Sequence, residues 1–176
     1  RSVQWCDEVL VVDDGSTDRT VAIAEGLGAR VVYHPWEDYS AQANYGASIA
    51  ANDWIFMIDA DEEATPELAA SIRRAVEQPS PPIGFRVRRI EFLLGRPLRH
   101  GSSRHSIQRV YDRTRTRYRA AYHSGLEGAG KHDLPVLRGY LLHSGSDDVA
   151  ARLDKINAYA RGVASEMVAT GQRPTP

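Results

Sequence analysis

The stretch Trp54-Ile-Phe-Met-Ile-Asp59-Ala-Asp61-Glu62-Glu63 constrains this chain more than any other. Five apolar residues in a row suit a buried strand and are too few for a buried helix. They run directly into four carboxylates, those of Asp59, Asp61, Glu62 and Glu63. A buried strand that ends in Asp-x-Asp gathers repulsive charge unless a cation sits there. Oxygen-rich sites suit Mg²⁺, Mn²⁺ or a metal–diphosphate complex. The competing reading is a solvated turn whose acidic residues favour the N-terminus of the next helix.

An earlier run, Glu8-Val-Leu-Val-Val12, also ends in carboxylates, within Asp13-Asp14-Gly-Ser16-Thr-Asp18. Ser16 or Thr17 is expected to cap a helix to Leu27, with Gly28 as its stop and Arg30–His34 as the next strand. That β-α-β order implies a parallel α/β sheet with a right-handed crossover. Ligands of such sheets bind beyond the carboxyl ends of the strands. For Asp13 and Asp14, ordinary Asp-Gly turn chemistry competes with a ligand-binding role.

The two acidic motifs, Val-Val-Asp13-Asp14-Gly-Ser16-Thr-Asp18 and then Asp59-Ala-Asp61-Glu62, resemble family 2 glycosyltransferases in order and separation. The resemblance implies a GT-A fold, with a Rossmann-like, mostly parallel central sheet flanked by helices and a C-terminal amphipathic helix. It implies one domain over residues 1–176, with a nucleotide- and metal-binding half at 1–63, an acceptor-side half at 64–145 and the helix at 146–171. Family members begin with a further strand and an Asn-Glu-bearing loop, and end in a membrane-associated tail. Both are expected to be missing here, so the chain reads as trimmed.

The resemblance also distributes roles. Asp13, Asp14 and Ser16 are expected at the nucleotide, with Asp59 and Asp61 holding Mg²⁺ or Mn²⁺ at the donor diphosphate. His143, which ends the expected strand Val136–His143, joins that metal site. Asn44 is expected at the donor, although Ala43 stands where relatives carry a basic residue. Relatives place a His followed by an acid at His123-Ser124; here Ser124 replaces the acid and Glu127 is the nearest carboxylate. Either Glu127, beside His123, deprotonates the acceptor hydroxyl, or the chain binds nucleotide sugar without turnover.

The remaining elements follow from local signals. Tyr39 to Ala51 reads as a helix, and Thr65-Pro66-Glu67 starts another that Pro79 stops. Gly84–Arg88 alternates like a half-exposed strand, and Ile107–Tyr111 reads as the strand after it. Ser146 or Asp147 caps a helix whose apolar stripe is Val149, Leu153, Ile156, Ala160, Val163 and Met167, ended by Gly171.

Net charge is only −1, but residues 1–63 carry thirteen acidic side chains against three arginines, while residues 86–119 carry eleven arginines against Glu91 and Asp112. Nucleic acid is a poor fit, because lysine is confined to Lys131 and Lys155 and aromatic interleaving is thin. Arginine forks suit phosphate oxygens, so Arg99, Arg104 and Arg109 are expected to hold phosphate on donor or acceptor.

The single cysteine, Cys6, excludes an intramolecular disulfide framework and fits a reducing compartment. A nucleotidyltransferase would need a Gly-rich, basic phosphate loop that the first turn lacks. The expectation is an inverting transferase acting on a glycan or glycolipid of the bacterial cell envelope, lipopolysaccharide core being the nearest resemblance. It would be cytoplasmic, at the inner face of the plasma membrane.

Overall fold

The computed structural model describes residues 1–98, 104–119, 125–130, 132–144 and 149–171. Strand β1 (Leu10–Asp13) leads through helix α1 (Thr20–Gly26) to β2 (Arg30–Tyr33), which pairs with it in parallel. Helix α1 starts later than expected, with Arg19 at its cap position and no side-chain cap bond. Ser16 serves the Asp13 turn instead. The stop at Gly28 is as expected: φ is +84°, and the Ala29 amide donates to the Ala24 carbonyl.

Helix α2 (Tyr39–Ile49) is capped by Asp38, which accepts from the Ala41 amide at 2.8 Å. It delivers the chain to β3 (Trp54–Phe56), after which β4 (Glu62–Ala64) precedes helix α3 (Pro66–Val76). Thr65 caps α3 and Pro66 occupies its first turn. Then come β5 (Gly84–Leu93), β6 (Arg96–Pro97), β7 (Arg104–Asp112), β8 (Tyr118–Arg119), β9 (Gly125–Leu126) and β10 (Val136–His143). Leu94 and Gly95, at φ 51° and 69°, form the two-residue turn of the β5–β6 hairpin.

The larger sheet runs β3-β7-β5-β10-β4, with β6 added to β5. The class is α/β as expected, but parallel pairing is confined to β1–β2 and β5–β10; the other described pairs are antiparallel. Short return connections such as the route from β5 through β6 to β7 reverse direction, whereas parallel pairs need a long crossover.

One core lies between α3 and the sheet, where Leu68, Ile72, Phe85, Val87 and Leu141 are buried. Gly139 permits that docking. Its φ is +86°, and a Cβ there would stand 2.3 Å from the Leu68 amide nitrogen. A second core packs α2 against Tyr111, Tyr118, Leu126 and Leu134. The Tyr111 hydroxyl in this core has no hydrogen-bond partner among the described residues, and burial pushes its pKa up to about 12. An orphaned buried hydroxyl costs about 1–3 kcal/mol, so Tyr111→Phe is expected to raise stability by about 1 kcal/mol in urea unfolding. A loss of stability would show that the hydroxyl is satisfied.

Between β1 and β3 lies a cavity of about 760 Å³ lined largely by apolar side chains, among them Leu10, Val12, Trp54, Phe56 and Ile58. Among the described residues β1 pairs only with β2, and β3 only with β7. Each therefore turns an open strand edge towards this space.

Helix α4 (Val149–Thr170) ends at Gly171 with φ 69°, as expected. Its proposed caps, Ser146 and Asp147, lie outside the described residues. Leu153 and Ile156 of the expected stripe are each 55% exposed, while Val163 and Met167 are partly covered. Among the described residues no helix is long and apolar enough to cross a membrane.

Candidate functional site

The acidic end of β1 is a closed turn. Asp13 Oδ2 accepts from the Gly15 and Ser16 amides, each at 2.9 Å, and Oδ1 accepts from the Ser16 hydroxyl at 2.5 Å. These donors, the Ser16 hydroxyl foremost, hold the Asp13 carboxyl below the ordinary carboxylate range. Gly15 sits at φ +110°, a conformation that few other residues would accept. Asp13 and Ser16 thus build the turn, and Asp14 is left exposed at its tip.

The acidic end of β3 is different, because buried arginine meets it. Val110 of β7 pairs with Phe85 of β5 and Gln108 pairs with Arg86, so Arg109 has no partner on β5. It is the extra residue of a β-bulge, a device that re-aims a side chain. Only 4% of Arg109 is exposed. Its Nη2 donates to Asp59 Oδ2 at 2.5 Å and to Glu62 Oε1 at 3.2 Å, and its Nη1 donates to the Tyr39 hydroxyl. Arg109, expected to bind ligand phosphate, is therefore an internal counter-ion. The Asp59 amide also donates to Glu62 Oε2 at 3.0 Å, which closes the loop between β3 and β4.

Three adjacent strands set the rest of the cluster. On β10, His143 lies opposite Glu62 of β4 on one side and Glu91 of β5 on the other. His143 Nδ1 lies 2.5 Å from Glu91 Oε2, and Nε2 lies 3.1 Å from Asp61 Oδ2. Arg89 spans the two glutamates, 3.3 Å from Glu62 Oε1 and 2.8 Å from Glu91 Oε1. Burial, with Asp59 adding its charge, pushes the Glu62 carboxyl up to about 7 against the pull of Arg89. Asp61 is the open member, its side chain 38% exposed.

The donor set fits a divalent cation at Asp61 and His143. It offers one accessible carboxylate and one imidazole nitrogen, in a cluster where four carboxylates face two guanidinium groups. Asp59 is committed to Arg109. Among the described residues no group of three or more His, Cys, Asp or Glu side chains could hold a metal by itself. A cation would need water or a ligand's oxygens to complete its shell.

Other expected residues are not gathered here. Asn44 pairs both ends of its amide with the Tyr118 backbone, donating at 2.9 Å and accepting at 3.0 Å, and so fastens β8 to α2. Glu127 is on the surface, ion-paired with Arg117 at 2.9 Å, and no described contact joins it to Asp59, Asp61 or Glu62. Arg99 and His123 lie outside the described residues; Arg104 is described only in its backbone, on β7.

Sequence reading passed over Glu91, Arg89 and Tyr39. The two-residue spacing of Arg89 and Glu91 marked one strand face, but only the register with β10 sets them beside His143.

The Glycosyl transferase family 2 profile matches residues 6–129. The chain belongs to that family. This family 2 domain is 56% identical over 66 residues to an uncharacterized glycosyltransferase of Rickettsia conorii, covering 38% of the present chain and 23% of the relative. It is 28% identical over 185 residues to the lipopolysaccharide core biosynthesis glycosyltransferase LpsC of Rhizobium meliloti, covering 98% of this chain and 67% of that protein. It is also 41% identical over 90 residues to a TPR repeat-containing protein of Synechococcus elongatus, covering 51% of the chain and 22% of that protein. The matched part spans less than a quarter of the Rickettsia relative's length.

Proposed function

We propose that this family 2 domain transfers a sugar, with inversion, from a nucleotide-diphosphate sugar to a hydroxyl of a cell-envelope glycan or glycolipid. The observation that carries the reading is the exposed Asp61 carboxylate beside His143, at the mouth of a cluster in which four carboxylates face two guanidinium groups. Asp61 and His143 would hold Mg²⁺ or Mn²⁺. Bound there, the cation would act as a Lewis acid on the leaving diphosphate. Arg109 keeps Asp59 and Glu62 in place, and Asp14 reaches the nucleotide from the β1 turn. The likeness to LpsC, 28% identical over 98% of this chain and 67% of that protein, supports an acceptor in the lipopolysaccharide core. The work would be done in the cytoplasm, at the inner face of the plasma membrane.

The apolar cavity between β1 and β3 suits an added strand better than a diphosphate, since both flanking edges are open. The donor accordingly belongs at the acidic strand ends and not within that cavity.

Calorimetric titration with UDP, GDP, ADP and dTDP, in Mn²⁺ and in EDTA, tests the reading. One nucleotide is expected to bind in Mn²⁺ and lose most of its affinity in EDTA; equal binding in both would refute it. In the same titration Asp14→Asn is expected to weaken that nucleotide about tenfold, the scale of one hydrogen bond to a charged group. Its melting temperature should not change. Wild-type affinity in that variant would remove Asp14 from the site.

One observation favours a second reading, a nucleotide-sugar-binding domain without turnover: Glu127, the expected base, is engaged by Arg117.

A further inference from the structure

We infer that Glu91 is the positioning residue of the cation site, fixing the His143 ring so that Nε2 alone is presented beside Asp61. The inference rests on the reading of Asp61 and His143 as cation ligands. A histidine ring that hangs from the end of a strand can rotate, and its neutral form can carry the proton on either nitrogen. A carboxylate that accepts from one ring nitrogen removes both freedoms, and such partners orient metal-binding histidines generally.

The surroundings of Glu91 fit that task. It is 7% exposed and sits on β5 directly across from His143 of β10, so backbone pairing fixes the separation of the two residues. One oxygen, Oε2, is 2.5 Å from His143 Nδ1. The other, Oε1, is 2.8 Å from Arg89 Nη2. Arg89 is itself held by Glu62 across the sheet, 3.3 Å away. With Arg89 on one oxygen, the carboxylate cannot swing away from the ring. Nε2 is then left 3.1 Å from Asp61 Oδ2, on the accessible side of the cluster. Sheet register, ion pair and hydrogen bond thus act in series on one ring nitrogen, and none of these partners needs to touch a substrate.

Two measurements test this. Calorimetry with Mn²⁺ alone compares the wild-type protein, Glu91→Gln and His143→Ala. Glu91→Gln keeps the shape but can offer the ring either an acceptor or a donor, so it no longer selects a tautomer. It is expected to weaken Mn²⁺ binding about 10-fold or more, the usual scale for losing such a partner. His143→Ala should lose more.

Long-range proton–nitrogen NMR of the metal-free protein reads the neutral ring directly, and in the wild type requires no variant to fold. The wild type should show the proton on Nδ1, and Glu91→Gln a mixture of the two forms. A purely packing role for Glu91 would leave that spectrum unchanged. If wild type and Glu91→Gln bind Mn²⁺ within twofold of each other, or if the wild-type ring carries its proton on Nε2, the inference is overturned while the cation site stands. If the wild type binds no Mn²⁺, the cation site itself is wrong and the inference falls with it.

Discussion

Replacing Arg109 by leucine is expected to destabilise the protein by about 3–5 kcal/mol, the range for removing one partner of a buried charge pair. Arg109 reaches Asp59, Glu62 and Tyr39 from a single bulged position, and the Glu62 side chain is wholly buried. Without the guanidinium, Glu62 keeps Arg89 as its ionic partner among the described residues, beside the Asp59 amide, and Asp59 loses its contact with Arg109. Arg109→Lys retains a charge but not the planar fork, so it should recover only part of the loss. Urea unfolding of the three proteins gives the comparison. A cost below about 1 kcal/mol for Arg109→Leu would mean that the cluster does not depend on this counter-ion.

Asp61→Ala is expected to act in the opposite manner, sparing the fold and removing the chemistry. Asp61 is the exposed carboxylate of the cluster, and its one side-chain neighbour of this kind among the described residues is His143 Nε2, 3.1 Å away, so melting should shift little. Stabilising the leaving diphosphate by a bound cation is worth several kcal/mol, and each 1.4 kcal/mol is about tenfold in rate. Turnover is therefore expected to fall about 1000-fold or more. Steady-state rates in saturating Mn²⁺ provide the check. A variant that keeps wild-type turnover would move the cation, or the need for one, away from Asp61.

Much of this arrangement was readable from residue order alone. The apolar run 54–58 ending in carboxylates, the parallel β1–β2 unit, the Thr65-Pro66 helix start and the strand Val136–His143 all follow local periodicity and cap chemistry. The family resemblance put His143 with Asp59 and Asp61 at one metal; the structure sets His143 Nε2 3.1 Å from Asp61 Oδ2.

What escaped was set by register. Arg109 looked like one more member of an arginine-rich surface. A one-residue bulge opposite Phe85 and Arg86 turns it inward, and nothing in the sequence announces a bulge. Asn44 looked like a donor ligand, but a side-chain amide can also imitate a strand edge, and it does so against Tyr118. Asp13 was expected at the nucleotide; its three hydrogen bonds within four residues show that it also builds the turn.

Hydrolysis of a panel of UDP-, GDP-, ADP- and dTDP-sugars to nucleoside diphosphate and free sugar, with water in the acceptor's place, tests the proposed chemistry most directly, with wild type and Asp61→Ala each measured in Mn²⁺ and in EDTA. A glycosyltransferase site at Asp61 and His143 should release diphosphate from at least one donor in Mn²⁺, and lose that release both in EDTA and in Asp61→Ala. Release unaffected by EDTA or by Asp61→Ala would contradict the site. No release from any donor, alongside Mn²⁺-dependent nucleotide binding, would contradict catalysis and leave the domain a nucleotide-sugar binder.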